Sequence, residues 1–290
     1  MKLNLEGLGV EFTKPQTVLA HASLVLYGQP GCGKTTLAAS AVDVPELNDV
    51  LILDFENSTA AVADKYGDHP NLDVIQIRNW SQAVRTIEAV LTQEHQYRTV
   101  VLDPINGFAQ FYLIEMRRRV ARKTELAAKV KRTAREEAEL KALSKVKVPD
   151  NVNNSMGDPG ITEADYGALG IEITALMARL NAAPFLVIMN THADNYSSRT
   201  QTREVLRPDM PGNVGRKVMT QKPHVVGFMD TQTAVVDGTV KEAFRIRFRP
   251  GKVGSLPFEA KARVGLREEI INPTMADLWK AMNHTEQHAN

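Results

Sequence analysis

Short runs of aliphatic residues alternate along the chain with stretches of helical period. Residues 22–28 (ASLVLYG), 50–55 (VLILDF), 72–77 (LDVIQI), 98–103 (RTVVLD) and 184–190 (PFLVIMN) are rich in Val, Ile and Leu. Continuous apolar runs of this length predict strands covered on both faces, as in a parallel sheet. Between them, SQAVRTIEAVLTQE places Val84, Ile87, Val90 and Leu91 on one side of a helix, with Ser81 as its cap. ITEADYGALGIEITALMARL opens on Thr162 and Asp165, a variant of the capping box. Strands and helices in alternation predict an α/β fold with a mostly parallel central sheet.

Two regions break the rhythm. From residue 224, HVVGFMDTQTAVVDG, EAFRIRFRP and PFEAKARVG read as strands joined by turns at Asp237-Gly238 and Pro250-Gly251, a C-terminal β extension of the sheet. Residues 115–148 are almost all charged or small, with Arg117, Arg118, Arg119, Arg122 and Lys123 leading a basic series. The apolar stripe there is thin, so this segment is expected to project as a charged helix. With PDNVNNSMGDPG as its return loop it forms an insertion, 113–160, within a single domain spanning 1–290.

A hydrophobic content of 43% over 290 residues suffices for a packed core. The net charge of +1 gives no global pull on nucleic acid, so any such contact has to come from local patches. The one cysteine, Cys32, excludes an internal disulfide and points to a reducing, cytosolic compartment. No apolar run approaches the ~20 residues a membrane helix needs, so no membrane partner is expected. The opening MKLNLEGLGVEF lacks the apolar core of a secretory signal.

The chemistry begins at GQPGCGKT, residues 28–35, which fits G-x-x-x-x-G-K-[ST] after a strand and before a helical TLAAS. Its glycines let backbone N–H groups turn inward around phosphates, and the helix N-terminus adds positive potential. Gly28, Gln29, Pro30, Gly31, Cys32, Gly33, Lys34, Thr35 and Thr36 are therefore the candidate nucleotide-binding residues. Lys34 reaches the β and γ phosphates and Thr35 offers a hydroxyl to Mg²⁺. Cys32 occupies a variable position as a small residue that fits. Asp103, at the end of RTVVLD, is the second candidate for the metal. Asp54 and Glu56 end the strand that follows the phosphate-loop helix. Asp54 reads as a capping or turn acid. Glu56 is placed to orient and deprotonate a water at the γ-phosphate.

The phosphate loop, LDFEN, VVLDP and LVIMNTH, in that order, resemble the RecA-like ATPases. The resemblance implies ATP and Mg²⁺ as cofactors, Glu56 as the catalytic glutamate and Asp103 as the Walker B acid. It implies that Asn190, Thr191 and His192 end a sensor strand lying between the phosphate-loop and Walker B strands. It also implies that Lys261 and Arg263 of FEAKARVG form a finger reaching into a neighbouring subunit's ATP site, hence a homo-oligomer, ring or filament. A cation supplied in this way stabilises charge on the transferring phosphoryl group. Within this superfamily the chain is most similar to small phage-type RecA-core proteins, the single-strand annealing ATPases of phage recombination. YGALGIEITALMARL, LRPDMPGNVGRKV and the late AKARVGL and IINPTM carry that similarity. It implies a place in the phage or bacterial host cytosol. Residues 113–160 match nothing in the group. The base pocket departs as well: the stacking tyrosine of RecA, seven residues after the glutamate, is Ala63 here, and Tyr66 is one turn off.

ADNYSSRTQTREVLRPDMPGNVGRK stands where the RecA family places a DNA loop. It offers Arg199, Arg203, Arg207, Arg216 and Lys217 to phosphates and Tyr196 to a base, the parts of a single-strand site. Pro211, Gly212 and Gly215 are expected to keep it mobile. The expected function is DNA-stimulated ATP hydrolysis in recombination, by annealing or strand exchange on single-stranded DNA. The alternatives are a nucleotide-switched adaptor or helicase loader, docking a replication or recombination protein through helix 115–148, and a motor of the hexameric helicase class.

Overall fold

The aliphatic runs become the middle of a sheet. The computed structural model describes residues 21–146, 162–197, 204–236, 239–262 and 266–283. β1 (Ser23–Gly28), β2 (Val50–Asp54), β3 (Leu72–Gln76), β4 (Thr99–Asp103) and β5 (Leu186–Tyr196) run parallel in the order β3-β2-β4-β5-β1. β1, β2 and β4 are buried at every position. Alternate side chains enter two separate cores: Val25, Leu51, Leu53, Val100 and Leu102 go to one face, and Leu24, Leu26, Ile52 and Val101 to the other. β3 departs from the expectation of cover on both faces. It is the outer strand, and its Val74 and Ile75 are 41% and 39% exposed.

β5 lies between β1 and β4, the position that the RecA-like resemblance implies for a sensor strand. β6 (Val205–Pro208) pairs antiparallel with the far end of β5. β7 (Val225–Val236) joins the other side of β1 in parallel, and β8 (Thr239–Arg247) folds back antiparallel on β7. β9 (Gly251–Val253), β10 (Leu256–Phe258), β11 (Lys261–Ala262) and β12 (Glu269–Ile271) complete the C-terminal extension. The turn at Asp237-Gly238 lies outside the described residues. The fold is α/β with a mostly parallel central sheet, as the sequence predicts.

α1 (Lys34–Ala39) follows the phosphate loop and α2 (Ala63–Tyr66) follows β2. α3 (Trp80–Thr92) is capped by Asn79, whose side chain accepts from Gln82 N–H at 3.0 Å, rather than by Ser81. α4 (Ile105–Ala128) and α5 (Ala134–Ala142) replace the single projecting helix expected over 115–148. α4 starts in the core, with Ile105, Phe108 and Ala109 buried, and runs outward. α5 folds back along it because Arg122 meets both Glu139 (2.8 Å) and Glu125 (2.9 Å), and Lys129 meets Glu136 (2.6 Å). α6 (Glu163–Asn181) opens on the Thr162/Asp165 capping box as expected. α7 (Asn213–Gln221) precedes β7, and α8 (Met275–Asn283) packs with α1 in the second core.

The sheet centre carries the stability. Leu102, wholly buried on β4, should cost about 2–5 kcal/mol when cut to Ala. Val74→Thr on the exposed edge should change stability by less than about 0.5 kcal/mol. Urea denaturation of the two variants against the parent measures both.

Candidate active site

The strands of a parallel sheet end together, and the chemistry gathers at their C-terminal ends. The phosphate loop leaves β1 there. Gly31 and Gly33 adopt φ of 79° and 85°, a left-handed conformation that glycine reaches without strain. A Cβ on Gly28 would stand 2.0 Å from the Met229 carbonyl oxygen, so only glycine lets β1 turn beside β7. Lys34 is buried, and its ammonium donates to the carbonyls of Gly28 (3.1 Å) and Gln29 (2.9 Å). Cys32 is buried beneath the loop, 3.6 Å from the Lys34 ammonium. Burial raises the thiol's pKa, and the lysine opposes that shift.

Asp103, at the end of β4, is the meeting point. Its Oδ2 accepts from the Thr35 hydroxyl at 2.7 Å and from the Asn190 amide at 2.9 Å. Burial pushes its pKa up; the two donors and nearby Lys34 pull it back, while Asp54 adds to the rise. A buried carboxylate beside a hydroxyl suits a hard cation. Among the described residues no group of three or more His, Cys, Asp or Glu could hold a metal ion. Asp103 and Thr35 are the side chains that would hold a Mg²⁺ brought with a nucleotide.

Asp54 and Glu56 take different roles. Asp54 is buried and organises the turn after β2. Its Oδ1 accepts from the N–H groups of Glu56 (3.1 Å) and Ser58 (3.0 Å), and its Oδ2 from Thr59 N–H (3.1 Å) and Oγ1 (2.7 Å). Burial raises its pKa, but these donors outweigh it and leave the carboxyl below its ordinary value. The turn sets Glu56 facing the cleft, where its Oε2 lies 3.6 Å from His192 Nε2.

The cleft has a volume of ≈ 270 Å³. Pro30, Gly31, Gly33, Lys34, Thr35 and Thr36 line one side. Glu56, Ser58 and Ala61 follow β2, Asp103 and Pro104 follow β4, and His192 comes from β5. Phe244 of β8 completes the wall, and no local pattern in the sequence marks it. Thr191 points elsewhere: its hydroxyl donates to the Asp209 carbonyl at 2.7 Å. Asp209 is bound in turn through its N–H to the His192 carbonyl (2.8 Å), and its carboxylate accepts from Asn106 at 2.9 Å.

Tyr196, Arg207 and Arg216 come together at the far end of β5. The two guanidinium carbons lie 4.9 and 5.1 Å from the tyrosine ring centroid. Both arginines also meet acids: Arg207 meets Glu259 at 2.6 Å and Arg216 meets Asp194 at 3.1 Å. Lys217 is exposed on α7. Gly212 and Gly215 serve the fold rather than mobility. Gly212 caps α7 at φ 79°, and a Cβ on Gly215 would stand 2.6 Å from Met210 Cγ. Lys261 pairs with Val226, which is level with Val25 of β1. That is three residues back from Gly28, about 10 Å along the strand. Its ammonium donates to the Gln221 carbonyl at 2.6 Å, outside the cleft of its own chain. Arg199, Arg203 and Arg263 lie outside the described residues.

A family model of the AAA domain matches residues 20–255, a span that holds the phosphate loop, Glu56, Asp103 and His192. The chain belongs to the AAA domain family. It is a P-loop ATPase, and nucleotide binding goes with the family. No curated protein matches the sequence. Among solved structures, a KaiC-like protein from the hyperthermophilic archaeon Pyrococcus horikoshii OT3 matches with a TM-score of 0.40 at 14% identity, covering 78% of each chain. Among the described residues of the ATPase, no helix is long and apolar enough to cross a membrane.

The depressed Asp54 pKa has a sign for stability. Its contribution is present above the ordinary aspartate value, about 3.9, and is lost as pH falls through the lower folded value. In Asp54→Asn an amide N–H faces donors where an oxygen accepted. The variant should be about 1–3 kcal/mol less stable at pH 7 and lose less than the parent on acidification. Urea denaturation at pH 7 and at acid pH checks this.

Proposed function

We propose that this ATPase hydrolyses ATP to control an oligomeric assembly on single-stranded DNA during recombination. In this reading Lys34 swings from the loop carbonyls to the β and γ phosphates. Thr35 and Asp103 would hold Mg²⁺, which when bound would neutralise charge on the phosphate oxygens. Glu56 takes a proton from the attacking water, and His192 beside it reports the occupancy of the γ position. Lys261 and Arg263 act on a neighbouring copy's cleft.

The observation that carries the reading is the continuity of β5. His192 lines the cleft, Asn190 just before it binds Asp103, and Tyr196 with its arginines sits four residues beyond His192 on the same strand. That is about 13 Å of extended chain. A shift of His192 on hydrolysis therefore reaches a basic, aromatic surface directly. Arg207 and Arg216 are paired with Glu259 and Asp194 in this structure, and in this reading they exchange those acids for phosphates when DNA binds.

A second reading is favoured by α4, which begins two residues after Asp103 and runs 24 residues outward. About 36 Å of helix links the metal acid to the hairpin tip, which suits an adaptor that docks a partner protein.

Glu56→Gln should lower turnover by about 100-fold or more and leave the ATP dissociation constant unchanged. Single-stranded DNA should stimulate the parent, measured by phosphate release. DNA-indifferent hydrolysis contradicts the DNA reading. DNA stimulation retained in a chain lacking 115–148, with only partner recruitment lost, supports the adaptor role for the hairpin.

A further inference from the structure

A second, smaller cleft of ≈ 70 Å³ adjoins the first, and the two share Gly33, Thr36 and Phe244. Its other walls are Lys65 and Tyr66 on α2 and Pro273 and Thr274 before α8. We propose that Phe244 is the stacking platform for the nucleotide's base, with the base seated over the slot between β8, α2 and the start of α8. The inference rests on the reading of the main cleft as a triphosphate site. It assigns the base to a residue from the opposite wall to the one that RecA-like resemblance leads one to search.

Two aromatic rings line the slot, and only one is available. Tyr66 is 3% exposed. Its hydroxyl donates to Asp43 at 3.1 Å, and the Lys65 ammonium covers its ring at 4.6 Å from the centroid. Phe244 is 42% exposed. Strand alternation puts it on the same face of β8 as Ile246, which is wholly buried, as is Phe248 just past the strand's end. At Phe244 the core has ended and the phosphate loop has begun. Its ring atoms lie 3.4–3.6 Å from where a Cβ on Gly33 would stand.

The platform is held rigidly. Phe244 N–H donates to Asn272 Oδ1 at 3.0 Å, and Asn272 N–H donates back to the Phe244 carbonyl at 2.7 Å. Asn272 adopts φ 47°, a left-handed turn that carries the chain into Pro273 and Thr274 across the slot. A large aromatic face left in water is unfavourable, and a flat heterocycle laid on it removes that surface. The ligand chemistry is the base of a nucleoside triphosphate, held by stacking that tolerates either purine. Thr36, Lys65 and Thr274 are among the polar residues that line the slot.

Calorimetric titration with ATP, GTP and inorganic tripolyphosphate tests the assignment. Phe244→Ala should weaken ATP and GTP by about tenfold and leave tripolyphosphate unchanged. Phe244→Trp should retain parental ATP affinity. Phe244→Ala that binds ATP as the parent does, or loses ATP and tripolyphosphate equally, overturns the base platform while leaving the phosphate loop standing. If Lys34→Ala changes the affinity of none of the three ligands, both readings fall.

Discussion

One buried carboxylate holds the working end of the molecule together. Asp103 accepts the Thr35 hydroxyl from the phosphate loop and the Asn190 amide from β5 on the same oxygen. The phosphate loop after β1, the middle of β5 and the end of β4 are thereby tied by two hydrogen bonds to a charge that burial makes costly. A cation brought by a nucleotide would meet that charge, which is why the pair Thr35–Asp103 suits a metal although no group of three or more His, Cys, Asp or Glu gathers for one among the described residues. The aliphatic strands supply the rigidity: β1, β2 and β4 are buried throughout, so their ends have little freedom to drift.

From that junction two elements leave in different directions. β5 carries the polar triplet Asn190–Thr191–His192 and continues into the hairpin with β6, where Tyr196 and two arginines gather. α4 starts beside Asp103, and its Asn106 binds Asp209, which is itself clamped to Thr191 and His192. Asp209 thus stitches the two outlets together. Burial and the neighbouring Asp194 push its pKa up, and Asn106, Arg216 and His192 pull it back. A change at the cleft would be felt at both the strand and the helix.

The strands were legible because a parallel strand covered on both faces needs an uninterrupted aliphatic run, and the phosphate loop because its glycines and lysine have fixed spacing. Asp54 and Glu56 part by position: the acid at the strand end anchors the turn, and the one beyond it lines the cleft. Cover from neighbours was not legible. LDVIQI reads like the other runs, yet β3 is an edge with its apolar residues in water. The charged segment looked like one solvated helix because Arg122 and Glu139 are 17 residues apart in sequence. Phe244 carries no local signal, since its meaning comes from Gly33 and Asn272, far away in the chain. The cap of α3 fell two residues from its predicted place because both Asn79 and Ser81 have capping side chains and only geometry chooses.

The central claim is that the cleft and the Tyr196 surface share one equilibrium. The most direct measurement is the affinity for a single-stranded oligonucleotide, by fluorescence anisotropy, with and without a non-hydrolysable ATP analogue. The account predicts tighter binding with the analogue by roughly 5-fold or more, with DNA tightening the analogue by the same factor. Equal DNA affinity in both conditions would contradict it.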